Sequence, residues 1–136
     1  MSGETDLQVM LAGLEPAVRD GEFVYVTIEE EPPGVTPEAT IVEEEGLTLV
    51  VPRDVADAHG WTYGFVAGWI TLTVHSALEA VGLTAAVSRA LADQGISANM
   101  LAGHFHDHVL VPIERRDDAV SALRDLSARG GSAPPA

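Results

Sequence analysis

GLTAAVSRALADQGISANMLAGHFHDHVLVP, residues 82–112, changes its period twice, and those changes decide the fold. Leu83, Val87 and Leu91 recur at helical spacing, with Ala86 and Ala90 beside the stripe, so a helix runs from near Gly82 to about Gln94. Gly95 is well placed as the residue that ends it in a left-handed turn. ISANMLAG then reads as a strand, and HVLVP as a second strand returning from it. Immediately upstream, GWITLTVH (68–75) alternates, with Ile70, Leu72 and Val74 on one face and Trp69, Thr71, Thr73 and His75 on the other. HSALEAVG is the loop delivering the chain to the helix, and a last helix from about Glu114 to Ala128 carries Ala119, Val120, Leu123 and Leu126. Strand, helix, strand, strand, helix is a ferredoxin-like unit that lacks its final strand.

The N-terminal half echoes it. Leu7, Met10, Leu11, Leu14 and Val18 predict a helix over 6–19 that Asp20-Gly21 stops. EFVYVTIEE follows as a strand with Val24, Val26 and Ile28 on one face. EEEPPGVTP (29–37) breaks it, because its prolines cannot donate to a ladder and its carboxylates favour solvent. ATIVEEEGLTLVVP (39–52) predicts two strands over a turn near Glu45-Gly46, and RDVADAHG (53–60) predicts two turns of helix. This half lacks an opening strand on that reading, so six strands serve two units. The expected fold is α+β: a ferredoxin-like tandem of antiparallel sheet with helices packed on one face, in two intertwined halves that complete one another or borrow strands from a partner chain. The expected boundaries are 1–65, 66–128 and a disordered tail, 129–136.

Composition narrows the function. Seven basic against 21 acidic residues give a formal net charge of −14, which repels phosphate backbones and anionic lipid. Nucleic acid and membrane surfaces are therefore not expected partners. No cysteine is present, which removes disulfides, thiolate catalysis and Cys-type zinc sites. MSGETDLQVM lacks the basic and apolar regions of a secretion signal, and no apolar run reaches the roughly 20 residues that span a bilayer, so a cytoplasmic location is the default.

Histidines at 104, 106 and 108 would share one face of a continuous strand, as metal chelation requires. Yet LAGHF and HVLVP each resemble a separate strand that needs a connection between them. The expectation is a hairpin turn with polar tips and no bound metal or cofactor. His75-Ser76 has no oxyanion motif or third partner and reads as a strand end. Trp61, Tyr63 and Phe65 are expected to pack the junction between the halves, the Glu-rich run at 29–31 to be a solvated loop, and Trp69 to offer a dimer contact.

The helix beginning near Gly82 offers unpaired amides and the positive end of its dipole, which suit a carboxylate. Asp107 in the returning hairpin could face an ammonium or guanidinium. Together they describe a seat for an amino acid, a cationic one above all; alternatively Gly82 only begins a helix and Asp107 only makes a turn.

SALEAVGLTAAVSRALADQGISANMLAGHFHDHVLVP (76–112) resembles the ACT domain, the small-molecule regulatory module of amino-acid metabolism. The likeness rests on the glycine entry at Gly82-Leu83, on LADQGISAN from Leu91 to Asn99, and on the returning strand. It covers residues 66–128, while 6–60 resemble the companion N-terminal half of small bacterial ACT proteins. Aspartate-kinase regulatory domains and cytosolic arginine sensors are more distantly similar. The resemblance implies a non-catalytic regulatory protein, paired as a homodimer, binding an amino acid where units meet. It places the ligand on Ser76, Val81, Gly82, Leu83 and Thr84, on the strand carrying Asn99, and on Asp107, matching an aspartate that contacts the basic side chain in the arginine sensors. The other outcome is a structural or protein-interaction dimer module whose pocket is empty. No catalytic or DNA-binding module accompanies the likeness within these residues.

Overall fold

A computed structural model describes residues 6–74 and 81–130. Ten elements follow in order: α1 (Leu7–Ala12), β1 (Pro16–Ile28), β2 (Ala39–Glu43), β3 (Gly46–Pro52), α2 (Arg53–His59), β4 (Val66–Leu72), α3 (Leu83–Asp93), β5 (Asn99–Ala102), β6 (Asp107–Pro112) and α4 (Arg116–Arg129), the last entered through a single 3-10 turn. All six strands form one antiparallel sheet in the order β2-β3-β1-β4-β6-β5.

That order contains the ferredoxin arrangement twice. The C-terminal unit runs β4, α3, β5, β6, α4 and takes β1 as its fourth strand. The N-terminal unit runs β1, β2, β3, α2 and takes β4 as its fourth strand. Each unit's opening strand therefore closes the other, and the six strands suffice because two are used twice.

Two expectations at the N-terminus are corrected. The predicted helix over 6–19 is only the six-residue α1, capped by the Asp6 carboxylate, which accepts from the amides of Gln8 and Val9. Pro16 lacks an amide donor and biases Glu15 away from helical geometry, so the chain extends into β1. Leu14 remains buried, but Val18 is an exposed strand residue. Gly21, expected to stop a helix, instead has φ 98° within a bulge of β1: Arg19 faces Trp69 and Phe23 faces Ala67 across β4, so β1 carries extra residues between them. Nor does the N-terminal unit lack an opening strand, because β1 is that strand. What it lacks is the helix after it, whose place residues 29–38 take without helix.

Strand alternation separates the core into layers. On the helix-bearing face, Val24, Val26, Leu49 and Val51 pack with Ala56 of α2. Ile70, Leu72, Val109 and Val111 pack there with Met10, Leu83, Val87, Leu91 and Leu123 from α1, α3 and α4. Gly68 lies between the two groups; a Cβ there would stand 2.7 Å from Cδ of Arg116, whose aliphatic stem crosses the strand at that point. On the other face Phe23, Val50, Ala67, Trp69 and Leu110 form a second apolar layer. Trp69 is only 5% exposed there, tilted against Phe23 with ring centroids 5.3 Å apart, so it is packed and not free as a dimer contact. Trp61 and Tyr63 pack on the N-terminal group, while Phe65 joins the opposite face beside Tyr25. The tail beyond 130 and the stretch 75–80 lie outside the described residues.

Candidate functional site

β4 ends at Leu72, which faces Asp107, the first residue of β6. α3, the next described element, starts at Leu83, and Leu83 shares its core group with Leu72 and Val109. Asp107 alternates with Val109 and Val111, so its side chain belongs to the helix-bearing face. Asp107 therefore shares the helix-bearing face with α3, and α3 is the described element that follows the end of β4 paired with Asp107.

Gly82 is the N-cap of α3, has φ 102°, and brings no capping side chain to the first-turn amides. A Cβ at Gly82 would stand 3.0 Å from Cδ2 of Leu7, so α1 occupies one flank of this turn. Leu83 is buried and can present only its backbone outward, Thr84 is exposed, and Val81 is 82% exposed. Asp107 is half-buried, and burial raises its carboxyl above the ordinary carboxylate value, the neighbouring His108 opposing the shift. Ser76 lies outside the described residues. Asn99 lies apart from this group. It faces Leu110 at the far end of the β5–β6 ladder, belongs to the opposite face, and its Nδ2 donates to the Leu110 carbonyl at 3.4 Å.

The histidine stretch is a hairpin, as its two strand-like ends predict. β5 and β6 are joined by residues 103–106, with the Gly103 amide donating to the His106 carbonyl at 2.9 Å. His104 and His106 are exposed at its tip beside Phe105, itself 66% exposed. His108 turns to the opposite face. Among the described residues no cluster of three His, Cys, Asp or Glu is arranged to hold a metal ion.

Sequence reasoning missed a polar group set into that opposite face. Trp69 Nε1 donates between Thr71 Oγ1 (3.2 Å) and His108 Nδ1 (3.3 Å), and the Thr71 hydroxyl in turn donates to an unprotonated His108 Nδ1 at 3.0 Å. An indole nitrogen only donates, so the bond to His108 needs Nδ1 unprotonated. Burial pushes the His108 imidazole below its ordinary value, His106 and Arg19 act in the same direction, and Asp107 opposes. Arg19 stacks its guanidinium 5.1 Å from the Phe23 and Trp69 rings and pairs with Glu38 at 2.8 Å. A strand assignment for residues 16–20 would have placed Arg19 opposite Trp69. Next to the bulge, a cleft of about 480 Å³ is lined by Arg19, Glu22, Glu38, Arg53 and Asp57 among others. Its arginines are already engaged: Arg53 with Glu22 and the Tyr63 hydroxyl, Arg19 with Glu38.

Comparison with known proteins identifies the class. ACT-domain sequence profiles match residues 2–68 and 65–125, and the chain belongs to the ACT-domain family. It is a non-catalytic ACT-type regulatory module, built as two units on one sheet. A Vibrio cholerae protein of unknown function, described as a possible transport protein, is similar at 40% identity and a TM-score of 0.82, over 89% of this chain and 95% of that one. An Agrobacterium tumefaciens protein shares the fold at 16% identity and a TM-score of 0.65, over 84% and 89% of the two chains. So does the regulatory subunit of aspartate kinase from Thermus thermophilus, at 12% identity and a TM-score of 0.61, over 82% and 95%. No curated protein matches the chain by sequence. Among the described residues no helix is long and apolar enough to cross a membrane.

Proposed function

We propose that this module senses an amino acid, held at the end of β4 in the C-terminal unit and covered by a second copy of the chain. The Gly82–Thr84 backbone receives the ligand carboxylate, and Asp107 faces the ammonium or a basic side chain. The observation that supports the reading is the Leu72–Asp107 pairing, which sets a half-buried carboxylate beside the end of β4, the strand that precedes α3. A cation beside Asp107 relieves the desolvation that its charge suffers there. Regulation follows as a population shift, no larger than the ligand's preference for one packing of the units over another.

A thermal-shift screen of the twenty amino acids at millimolar concentration tests this. A ligand at 100 times its dissociation constant stabilises the folded state by about 2.7 kcal/mol. For a chain of this size that raises the melting temperature by roughly 10 °C. Arginine or lysine is expected to give the largest rise, reduced in Asp107→Asn. No rise with any amino acid sinks the sensor reading. Sedimentation gives the copy number, and a monomer with ligand bound removes the covering copy.

A further inference from the structure

The duplicated topology allows the paired strand residues of one unit to be matched with their counterparts in the other. β3 and β6 both end in a proline that leads into helical backbone, and Pro52 faces Phe23 as Pro112 faces Ala67. From that anchor Phe23–Ile28 corresponds to Ala67–Leu72, and Leu47–Pro52 to Asp107–Pro112. The second strands agree independently: Ala39 faces Val50 as Asn99 faces Leu110. The hairpins agree as well, since Glu43 pairs with Gly46 across a turn matching that from Gly103 to His106.

At the ligand seat the two units then differ in kind. The counterpart of the Leu72–Asp107 pair is Ile28–Leu47, so a leucine stands where the C-terminal unit has its carboxylate. No helix stands between β1 and β2, so this unit has no counterpart of the first-turn amides of Leu83 and Thr84. Instead the segment replacing that helix lays Val35 on the N-terminal core, against which Ile28 and Leu47 also pack. The apolar Ile28–Leu47 pair offers an amino acid neither a counter-charge nor a donor, and burying a charged ligand there would leave it unpaired.

We infer that each chain carries one amino-acid seat, in the C-terminal unit alone, and that the N-terminal unit is its non-binding counterpart, with Ile28 and Leu47 in place of the Leu72–Asp107 pair and no helix after its opening strand. This rests on the proposed sensing role and fixes its stoichiometry. The N-terminal unit serves as scaffold, supplying β1 to complete the other's sheet.

Isothermal titration of the full chain with L-arginine and L-lysine, together with backbone amide shifts on adding each, tests it. One ligand per chain is expected, with shifts concentrated at residues 81–84 and 107. Asp107→Asn should weaken binding roughly tenfold or more, because it removes a charge-assisted contact. Leu47→Ala should leave the affinity within about twofold, since Leu47 lies in the unit that holds no ligand. Two equivalent ligands per chain, or shifts centred on residues 28–47, overturn the inference while sparing the sensing role. Absence of binding by both amino acids, and by the other eighteen in the thermal screen, overturns the two together.

Discussion

Ile70→Ala probes whether strand exchange makes the two units one cooperative structure. Ile70 is fully buried in β4, in the C-terminal core group. The change removes three carbons, and at about 0.8 kcal/mol per buried carbon the transfer loss is about 2.4 kcal/mol. A residual void of roughly 60 Å³, at about 24 cal/mol per Å³, adds about 1.4 kcal/mol. The sum, about 4 kcal/mol, is survivable for a domain stable by about 5–15 kcal/mol. With an m-value of roughly 2 kcal/mol per molar urea, the midpoint moves down by about 2 M. Two probes report on different units. Far-UV circular dichroism follows mainly α3 and α4, whereas Trp61, read in a Trp69→Phe background, packs on the N-terminal core. Because β4 is the fourth strand of the N-terminal unit, both signals should move together by the same amount. A Trp61 midpoint that stays in place while the helical signal shifts would refute the claim that the units share their central strands energetically.

His108→Asn keeps an acceptor near the position of Nδ1 but cannot titrate. The folded-state pKa of His108 lies below the unfolded value of 6.5, so this group's contribution to stability is whole above pH 6.5 and is lost as pH falls through the lowered value. Urea midpoints at pH 7.5 and 5.5 should fall further apart for the native chain than for the variant, and acidification should alter Trp69 emission only when His108 is present. Equal pH dependence in the two proteins would contradict it. Asp107→Asn has the opposite sign. Its raised pKa means the folded state holds the proton more firmly than the unfolded chain, so stability declines as pH rises from 3.8 through the raised value. The amide variant should therefore be modestly more stable near pH 7, with the advantage gone below pH 3.8; a less stable variant at neutral pH would show that the carboxylate is structurally paired.

Much of this fold could be read from periodicity because the C-terminal unit obeys its local rules. Ile70 and Leu72 alternate as a half-buried strand should, Leu83, Val87 and Leu91 share a helical face, and Gly95 takes the left-handed φ of 70° expected at a helix end. The N-terminus was less legible, since Leu7, Met10, Leu11 and Leu14 keep helical spacing across a boundary that only Pro16 marks. That single misassignment hid the opening strand, and with it the opposition of Arg19 and Trp69. The threonines that flank Trp69 on its side of the strand predict a polar face there. The burial of Trp69 comes from Phe23, which belongs to a strand distant in sequence. Asn99 and Asp107 are eight positions apart in sequence, yet strand pairing sets them at opposite ends and on opposite faces, which residue types alone do not reveal.

The double use of β4 also bears on how a signal would leave the proposed seat. The strand is a common beam: one end meets Asp107, and the other, at Val66, is built into the core beneath α2. A tug on the beam at the ligand end needs no hinge and no sliding interface to reach the far half, because the same backbone already runs there. The halves respond as two spans resting on one girder.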